Sequence, residues 1–249
     1  MATLETNLEA YWDCDVAGAT IVDSVNSYTL TKDGTVTTGS ANGPGGRDCL
    51  DCGAALGKYR TADLARLFDY SLGFTANIWV YAAAQSPVGN WVFGQRKSAG
   101  GARYWAMRGP HASNGLSGGT LDASTLRMAT SSDFTTGEWV MLTMTDDGTT
   151  ANVYKNAGSS IGSDTTVLAT IDTVACDFAI GGIPWASGTS TSTSHQGRIA
   201  LAGVWSRVLT AAEKTLLYNS GNGRDSTELN VSVSSNLLHS FAVTRSANY

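Results

Sequence analysis

The stretch Phe134-Thr-Thr-Gly-Glu-Trp-Val-Met-Leu-Thr-Met-Thr-Asp-Asp-Gly-Thr-Thr-Ala-Asn-Val-Tyr-Lys-Asn156 decides the fold. In an extended chain Trp139, Met141 and Thr143 share one face and Val140, Leu142 and Met144 the other, so the run is apolar on nearly both sides. A strand of this kind needs cover on two faces. Asp146-Asp147-Gly148 supplies residues that tolerate a tight reversal, and Thr149 to Tyr154 reads as the return strand, with Ala151, Val153 and Tyr154 apolar. The hairpin belongs to a larger antiparallel sheet, and a chain with such a centre is a sandwich or a barrel.

Composition agrees with that class. A chain of 249 residues holds one large β domain or two small ones and can bury a core without staples. Charged residues are sparse at 15%, and 28 glycines with only 4 prolines indicate many turns. The formal charge of −5, with no cluster of Lys and Arg, argues against nucleic acid and against an anionic membrane surface as partners. The start, Met1 to Leu8, has no basic region and no apolar core, and no later run approaches the roughly 20 apolar residues of a membrane span. The expectation is a protein without a Sec-type signal, which reaches an extracellular setting by assembly on a particle, by lysis or by another export route.

Along the chain, Leu8 to Val16 reads as a first strand, Gly18 to Tyr28 as a loop, Tyr28 to Val36 as a polar strand and Gly39 to Gly46 as a loop. Asp48 to Ala55 is a candidate strand, and Leu64 to Tyr70 one helical turn. Phe74 to Ala82 reads as a second buried strand, with Phe74, Ala76, Ile78 and Val80 on one face and Trp79 and Tyr81 on the other. Gly89 to Gly94, Ala102 to Met107, Thr125 to Met128, Thr166 to Ile171 and Phe178 to Ile180 are further short strands. In Arg198 to Arg207, the alternation of Ile199, Leu201, Gly203 and Trp205 places these four on one face. Thr210-Ala-Ala-Glu213 is a capping box opening a helix over Ala211 to Tyr218, which stops at Ser220-Gly221.

This succession, with Tyr11-Trp12, Gly137-Glu-Trp139, Ile180-Gly-Gly182, Gly197-Arg-Ile199, Val204-Trp-Ser-Arg-Val-Leu-Thr210 and Leu217-Tyr-Asn-Ser-Gly-Asn-Gly223, resembles the laminin G-like and concanavalin A-like lectin/glucanase jelly rolls. The resemblance covers about residues 8 to 223. It implies an all-β jelly-roll sandwich of two antiparallel sheets with one short C-terminal helix. The domain is set at residues 1–223, followed by a tail at 224–249 that docks on its own or a neighbouring chain, with Leu237, Leu238 and Phe241 as its apolar assembly patch. The Asn-Ser-Gly-Asn-Gly ending is also similar to modules of phage and other particle surfaces. The resemblance therefore implies a carbohydrate-binding or adhesion module displayed on a virion or extracellular surface, or a decoration and assembly protein of a particle. Glycans, other subunits and homo-oligomers are the expected partners.

Two positions depart from the family pattern. Where many members carry Asp-Glu after Gly-x-Ile, this chain has Ala200 and Leu201, and the usual acidic pair near the start is reduced to Asp15 before Val16. Asp15 and Asp23 remain as candidate hard-oxygen ligands for calcium, against a plain role as turn formers.

Glucanases of this fold class use an acidic trio on one strand, which sets nucleophile and acid on one face about 5 Å apart for retention. None of Glu5, Glu9, Glu138, Glu213 and Glu228 belongs to such a trio, and Asp13 and Asp15 are the only same-face carboxylates on an expected strand. With no nucleophile elbow, phosphate loop or zinc-protease motif, the chain reads as non-catalytic. A polysaccharide hydrolase is the third reading. For a ligand, Trp185, in a loop beyond a strand, is the candidate stacking residue, and Gln95, Arg96, Arg108, His111, Asn114 and His195 are the candidate polar contacts. The alternative for Trp185 is a lid on the core. Cys49-Leu-Asp-Cys52 has redox or zinc-half-site spacing without a second half, so structural thiols, a disulfide and a metal site all stay open for Cys14, Cys49, Cys52 and Cys176.

Overall fold

The computed structural model describes residues 3–53, 57–64, 73–83, 91–96, 104–111, 115–121, 125–168, 176–182 and 194–230. Its strands are β1 (Leu8–Trp12), β2 (Thr20–Val22), β3 (Thr29–Asp33), β4 (Thr37–Gly39), β5 (Cys49–Asp51), β6 (Lys58–Leu64), β7 (Phe74–Tyr81) and β8 (Trp91–Arg96). They continue as β9 (Tyr104–His111), β10 (Gly115–Leu121), β11 (Leu126–Ser131), β12 (Trp139–Asp146), β13 (Ala151–Lys155), β14 (Ser160–Asp164), β15 (Cys176–Ile180) and β16 (Arg198–Trp205). One helix follows, α1 (Ala211–Tyr218). The first sheet runs β14-β13-β12-β7-β16-β5-β4, with β1 also on β16, and the second runs β11-β10-β9-β8-β15-β6-β3-β2. Every described pairing is antiparallel, which makes a jelly-roll sandwich.

The central hairpin is as the sequence predicts. Val140, Leu142 and Met144 enter the core between the sheets, where they meet Phe93, Trp105, Met107 and Phe178. Met141 and Trp139 face a second core with Trp79, Tyr11, Trp205, Leu209, Leu217 and Leu229. β7, in register with β12 from Trp139↔Tyr81 to Asp146↔Phe74, divides the same way. The second core exists because α1 and the two ends of the described chain lie on the outer face of the first sheet. Trp205 Nε1 donates to Leu4 O at 2.6 Å, and Trp79 stacks on Tyr218 with ring centroids 5.5 Å apart. Thr210 caps α1 by accepting from Glu213 N, while the Glu213 carboxylate accepts from Thr210 N at 2.8 Å and from Arg207 at 2.8 Å.

A buried ionic clip joins the two sheets. Asp146, at the end of β12, accepts from Arg127 Nη1 at 2.8 Å and from the Thr120 hydroxyl at 2.7 Å, both on the second sheet. The side chains of Arg127 and Asp146 are 2% and 4% exposed, so little solvent screens the pair.

Several expectations are corrected. β16 does not hold a simple alternation: Leu201 adopts φ 50°, the pairing with β7 shifts between Ala200 and Gly203, and Ile199, Ala202 and Val204 face the inter-sheet core. Leu201 and Trp205 therefore face the second core, away from Ile199. The expected loop at 18–28 contains β2, and β4, β6, β10 and β14 are strands beyond those that the sequence predicts. Residues 166–168 are not in a strand, and the rest of that expected strand lies outside the described residues. The same holds for residues 65–70 of the expected helical turn, whose first residue, Leu64, ends β6.

Candidate functional site

Four chain segments meet in an open cleft of about 390 Å³ lined by Asp13, Asp15, Arg47, Asp48, Leu201, Asp225 and Thr227. Asp13 and Asp15 follow β1. Arg47 and Asp48 leave the tight turn at Pro44–Gly46, in which Gly45 holds φ 65° close against Asn222. The β16 bulge turns Leu201 to the floor, where its backbone N donates to Asp13 O at 3.1 Å. Asp225 opens a short 3-10 turn, Ser226–Glu228, with a capping box of its own.

Most of these carboxylates already have partners. Asp13 accepts from Ser226 N and the Ser226 hydroxyl, both at 2.7 Å, one on each carboxylate oxygen. Burial raises its pKa, the Ser226 hydrogen bonds oppose the shift, and the charges of Asp15 and Asp225 add to it. For Asp225 burial also pulls upward, but hydrogen bonds from Thr227 and Arg47 outweigh it and hold the carboxyl below its usual range. Arg47 binds Asp225, reaches Glu228 at 2.6 Å and donates to Asn222 O at 3.4 Å. Asp48 accepts from Ala41 N at 2.8 Å, and Asp15 is exposed. A general acid needs a proton to give and a free edge, and Asp13 is held as an acceptor on both oxygens. The cleft thus presents acceptors, a guanidinium and a hydroxyl over a leucine floor.

The candidate residues from sequence fall elsewhere, Asp15 excepted. Arg108 and His111 share β9, and the Arg108 guanidinium lies 4.3 Å from the Trp91 ring centroid. His111 has its pKa lowered by desolvation and by Arg108. Gln95 is corrected from ligand contact to core residue: it is 1% exposed and its Oε1 accepts from Trp105 Nε1 at 3.3 Å. His195 is likewise buried, its Nε2 3.2 Å from Tyr81 O and its backbone N donating to Gly181 O at 2.8 Å. Asp23 is no open ligand, since its carboxylate accepts from the backbone N–H groups of Val25, Asn26 and Tyr28 and closes that turn. Among the described residues no group of three His, Cys, Asp or Glu is arranged to hold a metal ion. Trp185, Asn114 and the side chain of Arg96 lie outside the described residues, as do Leu237, Leu238 and Phe241. Of the expected tail, residues 224–230 are fastened to the body of their own chain, and residues 231–249 lie outside the described residues.

Cys49 faces the second core and Cys52 the first, so the CxxC pair straddles the sheet and is neither a redox pair nor a zinc half-site. Burial pushes the Cys49 thiol up to about 11 and the Cys52 thiol higher still. A thiol reagent at neutral pH is expected to label at most one of the four cysteines in the native protein and all four after denaturation. Two fewer after denaturation would reveal a disulfide.

Burial lowers the pKa of His195 to about 4. The unfolded chain therefore takes up this proton first as pH falls, and stability is lost between about pH 6.5 and pH 4. The loss is about 3 kcal/mol. Urea unfolding across that window should show the loss in wild type and a flatter profile in His195→Gln.

Residues 56–213 match the sequence profile of the concanavalin A-like lectin/glucanases superfamily, more than half of the chain. The chain belongs to this superfamily. Among solved structures this superfamily member is similar to domain 4 of AbnA, a GH43 extracellular arabinanase from Geobacillus stearothermophilus, in complex with arabinotriose. The TM-score is 0.64 at 15% identity, over 85% of this chain and 98% of that one. It is also similar to the binding domain of botulinum neurotoxin DC in complex with SialylT, with TM-score 0.62, 12% identity, and coverage of 88% of this chain and 52% of that one. A third is Trypanosoma rangeli sialidase, with TM-score 0.61, 14% identity and coverage of 87% and 33%. The superfamily sandwich thus spans about half of the neurotoxin binding domain and a third of the sialidase. No curated protein matches the chain significantly in sequence.

No local sequence pattern marks the cleft, because its parts are remote along the chain. Asp13 and Asp15 carried a signal as same-face carboxylates, and Asp225-Ser-Thr-Glu228 carries a capping-box pattern, but nothing local joins them to Arg47.

Proposed function

We propose that the protein is a non-catalytic carbohydrate-binding module whose ligand enters the cleft between Asp15, Asp48, Arg47 and Thr227. The observation that carries this reading is the lining of the cleft: acceptors and donors fixed by the scaffold around an apolar floor at Leu201, the combination that holds sugar hydroxyls and a C–H face. Membership of a lectin/glucanase superfamily, and likeness to an arabinanase domain whose structure is in complex with arabinotriose, support it. The engaged state of Asp13 and Asp225 supports binding over hydrolysis, because neither has a free edge for proton transfer. Display in many copies on a virion or other extracellular surface belongs to the same proposal, since avidity would raise the strength of a weak, open site.

The test is a broad glycan array probed with the multivalent protein, beside Asp15→Asn. Asp15 is exposed and contributes to no core, so its variant should fold normally. The expected result is retention of at least one glycan class by wild type and a loss of about tenfold or more in the variant, the scale of one charge-assisted hydrogen bond. No retention by wild type would overturn the proposal, and so would release of reducing ends from a retained glycan.

A further inference from the structure

The segment from Asn222 to Leu229 is held differently from the rest of the fold. It forms no strand, and it crosses the second core above residues that are otherwise fully enclosed: Tyr11 is 0% exposed and Trp79 1%. At its start, Gly223 packs against Leu201 and the Trp79 indole, in a place where a side chain would collide with Leu201. At its far end Leu229 is buried in the second core. Between these ends the contacts are polar. Tyr11 donates its hydroxyl to Arg224 O, Arg224 Nε donates to Leu216 O at 2.7 Å, and Ser226 donates to Asp13. One residue grips at three points: Arg47 takes Asn222 O, Asp225 and Glu228, with its side chain 27% exposed.

We propose that residues 222–229 form a strap that opens as one unit without unfolding the sandwich, and that Arg47 is its latch. Ladder hydrogen bonds hold β7 and β12 across eight paired residues, whereas the strap, between its packed ends at Gly223 and Leu229, depends on solvent-accessible ion pairs and single hydrogen bonds. Segments held in that way open at lower free energy than the core. Opening uncovers Tyr11 and Trp79 and removes Asp225 and Thr227 from the cleft wall, so the shape of the cleft follows the position of the strap. The inference stands on the packing of this segment and does not depend on the carbohydrate reading.

Hydrogen exchange of the full chain, followed by mass spectrometry, tests it. Gly223 and Ser226 report the strap, because their backbone N–H groups are bonded outside it, to Tyr218 O and to the Asp13 carboxylate. Arg47→Gln is expected to speed exchange in the peptide covering 222–229 by about three- to tenfold, the scale of two partly exposed ion pairs, while peptides from β7 and β12 keep their wild-type rates. Tyr11→Phe should act on the same peptide. Half-molar salt should speed exchange in wild type and add little in Arg47→Gln. Unchanged exchange of the strap in Arg47→Gln would overturn the proposal, as would acceleration shared equally with β7 and β12, which would mean that the strap opens only with the whole domain.

Discussion

Replacing Asp146 by alanine is expected to destabilise the protein by about 3–5 kcal/mol, since it leaves the Arg127 guanidinium buried without its counter-charge. The Thr120 hydroxyl loses its acceptor in the same step, and Gly148 N loses the bond that sets the hairpin turn. Urea unfolding should show a lower midpoint with an unchanged slope if the sandwich stays two-state. The double variant Arg127→Met with Asp146→Leu supplies the control. Apolar replacement of both partners removes the uncompensated charge, so it should recover most of the loss. Equal costs for single and double variants would mean that volume at this position, and not charge pairing across the sheets, is what matters.

The second large effect is expected for Trp205→Ala, at about 3–5 kcal/mol. Trp205 is fully buried on the outer side of the first sheet, lies edge-on to Tyr11 with ring centroids 6.3 Å apart, and holds Leu4 through its indole N–H. Its loss should free residues 3–8 as well as lower the unfolding midpoint, which proteolysis near the N-terminus would report. If the outer face of the first sheet were instead a ligand surface, the variant would cost under about 1 kcal/mol and would impair binding. The expected pattern is the reverse, because α1 and both ends of the described chain have already closed that face.

What the sequence disclosed follows from how local each signal is. The two faces of β12 and β7 can be read from alternation because both strands run straight between two apolar cores, one on each side. The capping box of α1 needs only residues 210 and 213, and it stands as read. β10 is hidden because Gly115-Leu-Ser-Gly-Gly-Thr-Leu121 has glycines where alternation would show, yet Gly119 has to be bare, as a Cβ there would come to 2.2 Å of the Arg127 carbonyl oxygen on β11. The bulge in β16 is hidden for a different reason: Leu201 sits at positive φ with no glycine to announce it, and every residue after it changes face. Asp146 reads as a turn residue, which it is, but its second role as acceptor for two strands of the opposite sheet belongs to tertiary structure alone. The cleft is an extreme of the same kind, since Asp13, Arg47, Leu201 and Asp225 are brought together only once both sheets and the strap are in place.

The central claim is that sugar binds at this cleft and is not turned over there. Backbone amide shifts of the isotopically labelled protein, titrated with the oligosaccharide that the array selects, test it most directly. The account predicts perturbations concentrated at residues 13–15, 47–48, 201 and 225–227, with the oligosaccharide recovered intact. Perturbations centred instead on Trp91 and Arg108 of the second sheet, or cleavage of the ligand during the titration, would contradict it.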